Sequence, residues 1–183
     1  MLVLGVDPGT VVTGWGVVEC DGPRLSRVAS GTLRVGRGDV AGRLARIYAG
    51  LSAIIVEHAP RVLSLERNFL ARNVQSAFRL GEARGVAMAA AAAADVSLCE
   101  YTPATIKKSV AGHGRADKAQ MKAAVARLFA LTAELAEDEA DALAAAACHG
   151  FRHGYDDKVA AAIARADGTG SPAVRRPRTR RRA

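Results

Sequence analysis

The sequence predicts an α/β fold, and three features of its patterning predict it. The first third is a series of short apolar segments separated by turn residues. From Val40 onward, helical periodicity alternates with short apolar segments. The last third carries helical patterning alone. A meander of strands, then strands alternating with helices, then helices, describes one sheet that helices cover.

Residues 2–6 form a short apolar run suited to a buried strand, and Pro8-Gly9-Thr10 supplies the turn that follows. Residues 13–19 resume as a second strand, and residues 25–35 fit a third, with Gly31 as the site of a bulge. Val40, Leu44, Ile47, Tyr48, Leu51, Ile54 and Ile55 recur three and four apart, which predicts an amphipathic helix that Pro60 stops. Val62–Glu66 is the next strand. A strand, a helical crossover and a strand favour parallel pairing with a right-handed connection.

Residues 73–94 predict a second long helix, interrupted by Gly81 and Gly85, and Ser97–Tyr101 is a fifth strand. Thr102-Pro103 opens another helix, with Thr as N-cap and Pro in the first helical position. His113-Gly114-Arg115 breaks the pattern before a helix over about residues 117–130. The last helix starts near Glu137 and is expected to end around Gly150 or Gly154. No internal repeat is visible.

Composition narrows the class. With 183 residues, half of them hydrophobic, the chain buries a real core as one domain. Aromatics are 4%, so that core is built of Ala, Val, Leu and Ile. Cys20, Cys99 and Cys148 are odd in number and far apart, the pattern of reduced thiols in a cytoplasmic protein. No basic leader precedes the first strand, and the alanine-rich residues 85–94 are too short to span a membrane. The net charge of +8 is concentrated at one end: the six arginines of residues 171–183 carry most of it, leaving +2 on residues 1–170. Residues 156–183 are therefore expected to be a disordered, basic Arg/Pro-rich tail, serving phosphate attraction or solubility.

Four carboxylates stand out. Asp7 and Glu66 each end an apolar strand, where an ionised group is costly unless paired or bound to a cation. Sites in parallel α/β sheets gather at carboxyl ends of strands, which makes these two acids neighbours. Asp138 and Asp141 are three apart, on one face of a helix. An acidic first turn also suits the helix dipole with no further role, and Asp7 would serve equally as a turn former. Taken together, four hard oxygen donors without a His or Cys cluster suit Mg²⁺ or Mn²⁺. A pair of such ions would clamp the attacking and leaving oxygens of a phosphodiester.

The motifs Gly5-Val6-Asp7-Pro8-Gly9-Thr10 and Thr13-Gly14-Trp15-Gly16-Val17 resemble the RuvC family of bacterial Holliday junction resolvases. So do Glu66-Arg67-Asn68-Phe69, Ala71-Arg72-Asn73, Leu80-Gly81, Ala83-Arg84-Gly85 and Ala140-Asp141-Ala142-Leu143-Ala144, across residues 1–155. The resemblance implies a ribonuclease H-like fold with a central mixed sheet flanked by helices, in a nuclease domain of residues 1–155. It further implies a Mg²⁺-dependent homodimer that resolves four-way DNA junctions by paired symmetric nicks, partnered by RuvA and RuvB. By the same resemblance Asp7, Glu66, Asp138 and Asp141 are catalytic metal ligands. Phe69 would enter the junction and stack on a base. Lys107 and Lys118 would lie near the scissile phosphates, with Arg72 and Arg79 as weaker phosphate contacts. His113 and His149 are expected to be structural or exposed.

Three other readings were open to the residues. The Asp7-Pro8-Gly9-Thr10 turn also suits an actin-type phosphotransferase, but the chain is short for two lobes and has no second Gly-rich loop. A non-catalytic junction binder would have no use for four acids that repel DNA. A nuclease for RNA–DNA hybrids would share the chemistry and differ in substrate.

Overall fold

The computed structural model describes residues 1–36, 38–67 and 74–166, with the side chains of the last helix described as far as Gly154. The elements are β1 (Leu2–Asp7), β2 (Val12–Asp21), β3 (Arg24–Arg34), α1 (Val40–His58), β4 (Val62–Glu66), α2 (Val74–Ala92), β5 (Ser97–Tyr101), α3 (Pro103–Ala111), α4 (Lys118–Leu128) and α5 (Glu137–Ala166). The strands form one mixed sheet in the order β3-β2-β1-β4-β5. The meander β1-β2-β3 is antiparallel, while β4 and β5, each reached by a helical crossover, join in parallel.

Side-chain alternation along the strands builds a core on each face of the sheet. Leu4, Val6, Leu63 and Leu65 face α1 and α2, where Ile47, Leu51, Ile54 and the alanines Ala83, Ala87, Ala90 and Ala91 cover them. Val3, Val18 and Val62 face the other way, against Ile106 of α3, Met121 and Val125 of α4, and Leu143 and its alanine neighbours of α5. The alanine-rich stretch of α2 is thus part of the core, and no described helix is long and apolar enough to cross a membrane.

Local chemistry sets the helix ends. Asp39 caps α1 by accepting from the Gly42 N–H at 2.7 Å, and Ala59 ends it in a left-handed conformation before Pro60. Thr102 caps α3 ahead of Pro103, and Asp117 and Gln120 form a reciprocal capping box on α4.

Two expectations need correction. The extra residue of the β2–β3 pairing is Val28, opposite the step from Val17 to Val18, whereas Gly31 pairs regularly with Trp15. The last helix does not stop at Gly150 or Gly154 but runs to Ala166, so the boundary expected between residues 155 and 156 falls inside α5. Those two glycines serve close packing. A Cβ on Gly150 would lie 2.6 Å from Cys20 Sγ, and one on Gly154 would lie 2.9 Å from the Gly22 carbonyl oxygen. Ala160-Ala161-Ala162-Ile163-Ala164 then continues with good helix formers and no breaker before Gly168. Residues 167–183, with the six arginines, lie outside the described residues.

Candidate active site

Asp7 and Glu66 are brought together by register. Val6 pairs with Leu65 across the parallel β1–β4 ladder, so the next residue of each strand leaves the sheet beside the other. Both carboxylates belong to the alternating set that faces α5, the set of Val3, Gly5 and Asp7 on one strand and Val62, Ser64 and Glu66 on the other.

The helix that supplies the other two acids lies unusually close on this face. A Cβ on Gly5 would stand 1.9 Å from the Ala142 carbonyl oxygen, and one on Gly14 the same 1.9 Å from that of Asp138. One on Gly16 would meet Leu143 Cδ2 at 2.6 Å. Side chains at these positions would lift α5 off the sheet. Two hydrogen bonds fix it laterally: the buried Ser64 hydroxyl donates to the Ala145 carbonyl at 2.7 Å, and the Ser30 hydroxyl donates to Glu139 Oε1 at 2.6 Å. The first turn of α5, with Asp138 and Asp141, is therefore held over the ends of β1 and β4.

All four predicted carboxylates line one cleft of about 470 Å³, together with Lys107, Lys118 and a fifth acid, Glu137. Ile106, Met121 and Ala144 supply its apolar wall. Among the described residues, none of the four carboxylates has a hydrogen-bond donor or ion-pair partner for its side chain. The cost is visible at Asp7, whose carboxyl is pushed from 3.8 up to about 7 by burial first, then by Asp141, Asp138, Glu66 and Glu137. Burial also raises Glu66, as does Asp141, while Lys107 and Arg84 oppose the shift. Asp141 is raised by burial and by Glu137, against the pull of Lys118.

Such repulsion is what a divalent cation relieves, and an all-carboxylate donor set without His or Cys suits a hard ion. The residues present fit Mg²⁺ or Mn²⁺ by their chemistry. As arranged, they line the cleft without closing a cage: no group of three acids, histidines or cysteines among the described residues is drawn together tightly enough to hold one ion. Substrate phosphate and water would complete the coordination, the usual situation for Mg²⁺.

Lys107, on α3, and Lys118, the first residue of α4, stand at this cleft as expected. Lys118 is engaged there by Glu137 in an exposed ion pair at the mouth. Arg79 is exposed on α2 and does not line the cleft. Phe69 and Arg72 lie outside the described residues. His113 is exposed, and His149 is buried in the core, its Nδ1 bonded at 2.8 Å to the Tyr101 hydroxyl.

Three residues of the site were not anticipated. Glu137 is legible in sequence only as one more acid at a helix start. Arg84 donates to the Glu66 backbone carbonyl and pairs with Glu100 of β5, clamping the end of the strand that carries Glu66. Nothing in the spacing of Arg84 and Glu100 announces that a helix returns to the end of the preceding strand.

A family model described as Crossover junction endodeoxyribonuclease RuvC matches residues 3–149. A crossover junction endodeoxyribonuclease RuvC of Acinetobacter baumannii is 44% identical over 158 residues, 86% of this chain and 87% of the relative. That of Halorhodospira halophila is 49% identical over 148 residues, 80% of this chain and 88% of the relative. Among solved structures, Thermus thermophilus RuvC in complex with Holliday junction substrate superposes with a TM-score of 0.80 at 28% identity, over 85% of this chain and 96% of that one.

Proposed function

Because the chain belongs to the RuvC family of crossover junction endodeoxyribonucleases, we propose that its carboxylate cleft cuts the backbone of four-way junction DNA during recombination and repair. The chain is a nuclease with a ribonuclease H-like fold. The observation that supports the site assignment is the convergence of Asp7, Glu66, Asp138 and Asp141 in one cleft with two lysines at its edge.

Asp7, Glu66, Asp138 and Asp141 would hold Mg²⁺, with Mn²⁺ as a substitute. Held by these four carboxylates, such a cation would supply Lewis-acid activation of water and charge neutralisation at the scissile phosphate. The chain's own residues do the rest. Glycine packing under α5 and the Arg84–Glu100 clamp set the separation of the carboxylates before substrate arrives. Lys107 and Lys118 meet the phosphate's negative charge, and Lys118 exchanges Glu137 for phosphate as DNA docks. That exchange is inexpensive, because an exposed ion pair is worth about 0–1 kcal/mol.

Phe69 and Arg72 are assigned to junction contact by the same family reading. Symmetric nicks across a two-fold junction need two-fold related sites, so the enzyme acts as a homodimer. Its partners are RuvA and RuvB, and its compartment is the cytoplasm.

Labelled four-way junction, matched duplex and RNA–DNA hybrid, each with Mg²⁺ or EDTA, test this reading. Paired Mg²⁺-dependent nicks confined to the junction are expected. Preferential cutting of the hybrid, or junction binding without cutting in Mg²⁺ and Mn²⁺, would overturn it.

A further inference from the structure

We propose that the groove between α3 and α5 is a second phosphate site, where Lys108 and Arg152 hold the DNA backbone beyond the catalytic cleft. This rests on the reading of DNA as the substrate. The groove is an open depression of about 520 Å³ lined by Lys108, Arg152, Thr105, Ser109 and Ala104. Among the described residues two cations and two hydroxyl-bearing residues line it, and no acid does. Such a set recognises phosphate oxygens without reading bases.

The groove is next to the cleft by construction. Consecutive helical residues point about 100° apart, and Lys107 lines the cleft while Lys108 lines the groove. A strand whose phosphate lies at Lys107 meets Lys108 as it continues over α3.

Arg152 is fixed to the same framework. Its guanidinium sits 5.9 Å from the centre of the Tyr101 ring. Tyr101 is held at its hydroxyl by His149 and pairs with Glu66 across the β4–β5 ladder. The arginine is thus referenced to the strand pair that carries a catalytic acid. A cation–π contact of this length leaves the guanidinium N–H groups free for a bidentate grip on phosphate. Among the described residues neither Lys108 nor Arg152 has an ion-pair partner. The two hydroxyls already have partners, Ser109 Oγ with Cys148 Sγ at 3.5 Å and Thr105 Oγ1 with Thr102 Oγ1 at 2.8 Å, so the two cations carry the site.

The test is the salt dependence of junction binding in EDTA for the full chain and the Lys108→Ala/Arg152→Ala double variant. Removing one cation from a phosphate lowers the slope of log K against log salt by about 0.9. The slope of the double variant should therefore be shallower by about one to two, and its binding about tenfold weaker near 0.1 M salt. The Lys108→Arg/Arg152→Lys variant should keep the parent slope. An unchanged slope, as an acidic protein occupant would give, overturns the inference alone. A parent chain that fails to bind the junction overturns the substrate reading and this inference with it.

Discussion

Asp7 is where the site's repulsion is most concentrated, and its consequence for stability has a definite sign. Its folded carboxyl titrates near 7 rather than 3.8, so between those values the folded chain holds a proton that the unfolded chain has released. Stability therefore falls as pH rises from about 4 to about 7, and the whole penalty is present above 7. A rise of that size corresponds to at most about 4 kcal/mol, caused by burial first and then by the charges of Asp141, Asp138, Glu66 and Glu137. In EDTA the melting temperature should drop between pH 5 and pH 8. The Asp7→Asn protein should show a flatter profile and a higher melting temperature at pH 8, while losing cleavage. Mg²⁺ should raise the wild-type melting temperature more than that of the variant. A wild-type profile that is flat, or that rises with pH, would sink this account. Asp7 and Glu66 were legible because a charged residue closing an apolar strand is conspicuous by itself. Glu137 was not, since an acid at a helix start has an ordinary explanation in the dipole.

At the scale of elements, α5 is the part whose sequence disclosed most about identity and least about placement. Alanine periodicity and the Asp138–Asp141 spacing announced a helix with two acids on one face. Neither announced that three glycines on β1 and β2 form its bed, because the partner of a helix face is not written in the helix. The motifs around Gly5 and Gly14 were visible as a resemblance, and their reason is steric. Gly14→Ala tests that reason directly. Its methyl would overlap the Asp138 carbonyl, whose oxygen lies 1.9 Å from the ideal Cβ position. Overpacking of this kind costs roughly 1–3 kcal/mol and is met by backbone movement. Because the atom displaced belongs to a residue assigned to the proposed metal site, cleavage should fall far more than stability, by about 10²-fold or more for an ångström of misplacement. Urea denaturation and single-turnover cleavage on the same preparation decide it. A stability loss with full cleavage would mean that the site does not depend on how closely α5 lies. The helix's run to Ala166 was missed for a related reason: Gly150 and Gly154 look like stop signals until their neighbours Cys20 and Gly22 are seen.

For the whole molecule, the layered plan was readable because the apolar patterns of β1 and β4 fitted burial on both faces, and because crossovers restrict the topology. The distribution of charge separates folding from attraction. Residues 1–170 carry +2 of the chain's +8, and the remainder is the six arginines that follow. If junction recognition belongs to the folded body, removing residues 171–183 should leave the melting temperature, the cut position and the saturating single-turnover rate unchanged. Affinity should weaken for junction and linear duplex alike, with a shallower salt slope for both, because phosphate attraction by arginine charge is indifferent to the shape of the DNA. The ratio of junction to duplex affinity should then hold or rise on truncation, as measured by paired titrations at two salt concentrations. A fall in that ratio would place part of junction recognition in the basic segment. Selectivity would then come from the whole chain, and the groove and cleft would supply only the chemistry and its immediate grip.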